Sequence, residues 1–84
     1  MTKEERIIAS IKEQYEKNMY KDTEYYYGFA VFETENAFYT VSDTYFGSEK
    51  QYRILVESPN FSEGYRLKTI EDVAYFLSKE GVEL

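Results

Sequence analysis

From Thr2 to Met19 the apolar residues are Ile7, Ile8, Ile11, Tyr15 and Met19, and Lys12, Glu13, Glu16 and Lys17 fill positions between them. Steps of three and four put the first set on one side of a helix and the second on the other, so the segment predicts an amphipathic helix. Thr2 followed by Glu5 has capping-box spacing, in which a hydroxyl and a carboxylate each satisfy a backbone donor that the first turn leaves free.

The period then changes. Asn18 to Glu24 is polar, and Tyr25 to Phe32 runs through aromatic and β-branched residues broken by Gly28 and Ala30, which predicts a strand. Thr34-Glu35-Asn36 suits a three-residue hairpin loop with Asn in the left-handed position, and Ala37 to Val41 follows as the antiparallel partner. In that register Tyr25, Tyr27, Phe29, Val31, Tyr39 and Val41 share one face, the expected core face. Tyr26, Gly28, Ala30, Phe32, Phe38 and Thr40 share the other, and a one-residue slip would exchange partners across the hairpin.

Ser42 to Lys50 reads as a polar connection carrying Tyr45-Phe46-Gly47. Gln51 to Glu57 reads as a third strand with Tyr52, Ile54 and Val56 inward. Ser58-Pro59-Asn60 signals a turn, Phe61 to Gly64 prolongs it, and Tyr65 to Lys68 predicts a short fourth strand. Thr69 is placed to cap a last helix, with Glu71 and Asp72 in its first turn, apolar Ile70, Val73, Ala74, Phe76 and Leu77, and Gly81 as its stop. The order predicts an α+β domain: an N-terminal helix, a three- to four-stranded antiparallel sheet, and a C-terminal helix, with both helices on one sheet face.

At 84 residues the chain has room for one domain, 1–84, and one core. The absence of Cys removes disulfides and thiolate metal sites. The absence of His removes the usual partner of a Ser or Cys nucleophile. The charged stretch from Met1 to Arg6 is unlike a signal peptide, and no window is apolar enough to span a membrane. The expectation is a cytoplasmic protein, monomeric or homodimeric, without cofactor or metal.

Net charge is −6, and its placement says more than its size. Residues 1–21 carry +1 and residues 50–84 carry −1, whereas residues 22–49 hold six acids and no Lys or Arg. Those acids are Asp22, Glu24, Glu33, Glu35, Asp43 and Glu49, and they are interleaved with nine of the sixteen Tyr and Phe residues. One reading makes the rings core and the acids edge charges that discourage stray strand pairing. A sharper reading starts from the sheet face that the helices leave uncovered. Tyr26, Phe32 and Phe38 would there form an aromatic patch rimmed by acids, joined by Tyr45 at the end of the ribbon, which is the makeup of a partner surface.

Carboxylates two apart on a strand, as Asp22 and Glu24 or Glu33 and Glu35 would be, lie roughly 6.6 to 6.8 Å from one another on one side. That spacing resembles successive phosphates along a nucleic-acid strand. Such an array suits the basic, nucleic-acid-binding surface of another protein, reached by steering that salt screens beyond about 8 Å. Direct nucleic-acid binding is not expected of so acidic a chain. Catalysis by paired carboxylates finds no support in a phosphate loop or metal-ligand spacing, since Gly28, Gly47, Gly64 and Gly81 each stand alone. A homo-oligomeric regulatory or structural interaction module that buries its ring face against a copy or a stable host subunit is the alternative.

Small size, acidity, lack of Cys and an aromatic-rich α+β pattern make the chain resemble the small phage-encoded inhibitors of host defence. Anti-CRISPR proteins are among these, and several mimic DNA. The resemblance is one of type over the whole chain, concentrated in Asp22 to Glu49, and it implies an inhibitor that binds protein; no functional residue carries over from it.

Overall fold

The computed structural model describes residues 1–18 and 30–84. The polar stretch 19–24 and the first part of the strand expected over Tyr25 to Phe32 lie outside the described residues. The described chain runs α1 (Lys3–Asn18), β1 (Ala30–Glu33), β2 (Phe38–Phe46), β3 (Glu49–Glu57), β4 (Ser62–Leu67) and α2 (Ile70–Lys79). Its four strands form one antiparallel sheet in the order β1-β2-β3-β4, which is the α+β arrangement the sequence predicts.

Local chemistry sets the helix ends. The Thr2 amide donates to Glu5 Oε1 and the Glu5 amide donates to Thr2 Oγ1, each at 3.1 Å, completing the reciprocal cap of α1. The Thr2 amide, and after it the Thr2 hydroxyl, hold the Glu5 carboxyl below its ordinary pKa. At α2 the Asp72 amide donates to Thr69 Oγ1 at 3.1 Å. Past its end Gly81 takes φ 100°, and the Val82 amide turns back to the Leu77 carbonyl at 3.0 Å, so Val82 ends buried.

The first hairpin departs from the expected register by one residue. Phe32 pairs with Tyr39 and Ala30 with Val41, so that Ala30 and Phe32, not Val31, join Tyr39 and Val41 on the helix side. The reason lies in the turn. Four residues, Thr34 to Ala37, fill it: the Thr34 amide donates to the Ala37 carbonyl at 3.0 Å, and Thr34 Oγ1 accepts the Asn36 and Ala37 amides. The added residue swaps the faces of β1 and buries the larger Phe32, leaving Val31 44% exposed.

The second hairpin is longer than its hydrophobic pattern indicates. Ser42 to Lys50, expected as a connection, supplies the end of β2, a two-residue turn at Gly47-Ser48 and the start of β3; Phe46 pairs with Glu49. Gly47, with φ 63° at the first central position, has the conformation that a tight hairpin turn of this kind asks of Gly.

One buried cluster unites Ile7 and Ile11 of α1, Val73, Ala74 and Leu77 of α2, and Phe32, Tyr39, Val41, Ile54 and Val56 of the sheet. Both helices therefore cover the same face. Among the described residues no helix covers the opposite face, and β1 and β4 form the sheet edges. At the β1 edge the Val31 amide is held by Gln14 Oε1 of α1 at 2.8 Å. Among the described residues no helix is long and apolar enough to cross a membrane.

Candidate functional site

The strand registers fix what shares the uncovered face, because residues directly opposite one another point the same way. One row reads Glu33, Phe38, Glu57, Ser62. The next reads Val31, Thr40, Leu55, Gly64, and a third reads Ser42, Arg53, Arg66. Across these three rows the face is charged on either side of a middle row without charge, and β3 continues past the arginines on the same face to Gln51 and Glu49. Acids sit at the end with the β1–β2 and β3–β4 turns, and the two arginines sit across the middle row from them. The Arg53 side chain lies over Gly64, where an added Cβ would come within 3.3 Å of its guanidinium.

Phe38 stands at the acidic end, 53% exposed and flanked in register by Glu33 and Glu57. Phe61, in the neighbouring β3–β4 turn, is 51% exposed. That turn is well tied: the Ser58 amide donates to the Phe61 carbonyl at 2.9 Å, and Ser58 Oγ accepts the Asn60 and Phe61 amides. A second ring is therefore presented beside the acid row on a fixed backbone.

Around the corner, a shallow cleft of about 600 Å³ separates the β1–β2 turn from the end of α2. Four carboxylates, Glu33, Glu35, Glu80 and Glu83, line it together with Thr34 and Asn36. Lys3 Nζ reaches Glu83 Oε1 at 3.7 Å, whereas among the described residues Glu33, Glu35, Glu57 and Glu80 form no ion pair. With little to neutralise them, these acids give this end of the molecule a negative potential. Among the described residues no group of three or more carboxylates is arranged to hold a metal ion.

The sequence-predicted site residues fare unequally. Glu33 is the register partner of Phe38, and Glu33 and Glu35 line one cleft beside the β1–β2 turn. Phe32 does not join them: the register shift buries it to 5% exposure under the helices. Asp43 faces the helix side opposite Tyr52, and its carboxylate meets Lys50 Nζ at 3.5 Å, so it is no unbalanced charge. Burial pulls the pKa of Lys50 down, but Tyr52, Asp43 and Tyr15 outweigh this and the net shift is upward.

Glu49 opens β3 beside the Gly47-Ser48 turn, the full length of β2 away from Phe38, which is about 26 Å at strand rise. The carboxylates of residues 33–49 therefore do not form one continuous array. Asp22, Glu24 and Tyr26 lie outside the described residues, and so does the Tyr45 side chain, although its backbone pairs with Lys50 in β2. Glu57, Glu80 and Glu83 were not singled out from sequence. Glu57 was readable as the residue closing the third strand beside a turn, but nothing in the spacing of Glu80 and Glu83 announces that α2 ends against the first hairpin.

No family model, no curated protein and no solved structure matches this chain.

Proposed function

We propose that this protein is a small protein-binding inhibitor whose acidic end docks on the basic, nucleic-acid-binding surface of a partner protein. Inhibition of a host defence system in the anti-CRISPR manner is the form of this activity that its composition resembles. The observation that carries the reading is Phe38: a ring half exposed on an uncovered sheet face, between two unpaired carboxylates. Burying such a ring against a partner supplies affinity, and the acids around it supply encounter rate and selection for positive charge. Glu35, Glu80 and Phe61 extend the same end, giving both apolar anchors and a charged rim.

Affinity capture at low and raised salt tests this reading. Basic proteins should be recovered at low salt and released as salt screens the acids. Recovery of only acidic or uncharged partners, undiminished by salt, would remove the electrostatic argument.

The polarity of the face favours a second reading, a homodimer. A two-fold axis along the row of Thr40 and Leu55 would lay Glu57 of one copy towards Arg53 of another and bury Val31, Phe38 and Leu55 between them. Sedimentation separates the two. A tight dimer that Phe38→Glu converts to monomer supports self-association and leaves no free acidic face for a foreign partner.

A further inference from the structure

Among the described residues β4 is the last strand of the sheet, and on its helix side a groove of about 370 Å³ lies between its Leu67 end and α2. The groove is aromatic. Leu67, Tyr75 and Phe76 give its apolar lining, and Tyr65 of β4 packs on Phe76 with ring centroids 4.9 Å apart. Tyr65 is 38% and Tyr75 55% exposed, so the rings are partly open to solvent. No Pro interrupts β4, and its whole length from Ser62 to Arg66 is exposed. An edge of this kind is a template for one more strand.

The charges around the groove choose what that strand carries. At one end Glu80 lines the groove and Glu63 accepts a hydrogen bond from the Tyr65 hydroxyl; that bond first, burial second and the charges of Glu63 and Glu80 third raise the Tyr65 pKa. Asp72 lies at the other end, one helix length back from Glu80. The base in the lining, Lys79, is turned over the Tyr75 ring with its Nζ 4.9 Å from the centroid. Glu80, the cap at the end of α2, follows Asp72 by eight residues, about 12 Å along the helix axis. Four residues of extended chain cover about 13 Å and return a side chain to the same face.

We propose that the β4 edge and this groove bind an extended peptide segment by strand addition, taking basic side chains four residues apart at Glu63/Glu80 and Asp72 and an apolar side chain midway on the Tyr65–Phe76 rings. Strand addition of this kind draws affinity from backbone hydrogen bonds and specificity from alternate side-chain pockets. The site is distinct from the uncovered sheet face and shares only Glu80 with the acidic end, so either can fail without the other.

The test is a titration of isotope-labelled full-length protein, followed by amide chemical shifts, with four capped peptides. These are TKTVTKT, its counterpart TETVTET, and two TKTVTKT peptides N-methylated on the odd or on the even residues. TKTVTKT should shift amides of β4 and α2, and TETVTET should bind at least roughly tenfold more weakly. One of the two methylated peptides should lose binding and the other keep it, because only alternate amides face the edge. The double variant Glu63→Lys/Asp72→Lys should weaken TKTVTKT by roughly tenfold with circular dichroism unchanged. The proposal is overturned if TKTVTKT fails to bind, if it shifts only amides away from β4 and α2, or if TETVTET matches it. It is equally overturned if both methylated peptides bind alike, or if the β4 edge is already occupied by a second copy that no peptide displaces.

Discussion

Phe32 and Phe38 have opposite fates in the first hairpin, and substituting each by Ala reads out the register. Phe32 is 5% exposed, paired with Tyr39 inside the cluster that α1, α2 and the sheet share. Truncating a ring so enclosed removes its transfer energy and leaves a cavity that neighbours fill only in part, a loss of about 3–5 kcal/mol. Phe38 is 53% exposed and closes no cavity. Burying a Phe in full contributes roughly 1.5–3 kcal/mol, so Phe38→Ala should cost about 1 kcal/mol or less. At roughly 0.05–0.15 kcal/mol per residue the whole domain holds about 4–13 kcal/mol, which makes Phe32→Ala severe and Phe38→Ala mild. Urea unfolding followed by circular dichroism gives the comparison. With a slope near 1–1.5 kcal/mol/M, Phe32→Ala should lower the midpoint by about 2–5 M and Phe38→Ala by about 1 M or less. Equal losses, or a larger loss for Phe38→Ala, would refute the shifted register and restore the pairing in which Phe32 faces solvent.

Thr69→Ala removes the acceptor of the Asp72 amide and should destabilise the domain by about 1 kcal/mol in the same urea assay. Gly47→Ala puts a side chain at φ 63° with open space around it, so the cost is conformational, about 1 kcal/mol, without loss of core packing. Because the folded state holds Glu5 below its ordinary pKa, the stability it contributes is complete above the unfolded pKa and fades as pH falls through the folded value. Glu5→Gln should therefore lose less stability than wild type between about pH 7 and about pH 3, as measured by the drop in Tm. A steeper drop for Glu5→Gln contradicts the assignment.

Much of the fold is legible in the sequence because local rules and burial agree there. Thr2 and Glu5, Thr69, and Gly81 mark helix ends through their own chemistry, and buried Ile54 and Val56 alternate with the less buried Arg53, Leu55 and Glu57 because one side of β3 faces the helices. The hairpins are harder for two separate reasons. Both faces of the first carry large apolar residues, so Phe32 and Val31 compete for the core and a single residue in the turn decides between them. In the second, Ser42 faces solvent and Asp43 reaches back to Lys50, so the strand continues without the apolar alternation that announces it. The acidic end is legible only in part. Glu33, Glu35 and Phe38 sit beside one turn in the sequence, whereas Glu57 arrives through strand pairing and Glu80 through the packing of α2.

The central claim is that the end bearing Phe38, Glu33, Glu35 and Glu57 meets a basic, nucleic-acid-binding surface. Its most direct measurement is capture of partner protein on immobilised chain in the presence of a duplex oligonucleotide, with wild type, Glu33→Lys/Glu35→Lys/Glu57→Lys and Glu49→Lys compared. The account predicts that wild type and Glu49→Lys capture the same basic partner, that the oligonucleotide displaces it, and that the triple reversal captures none while still folding. Capture that survives both the triple reversal and the oligonucleotide would contradict it.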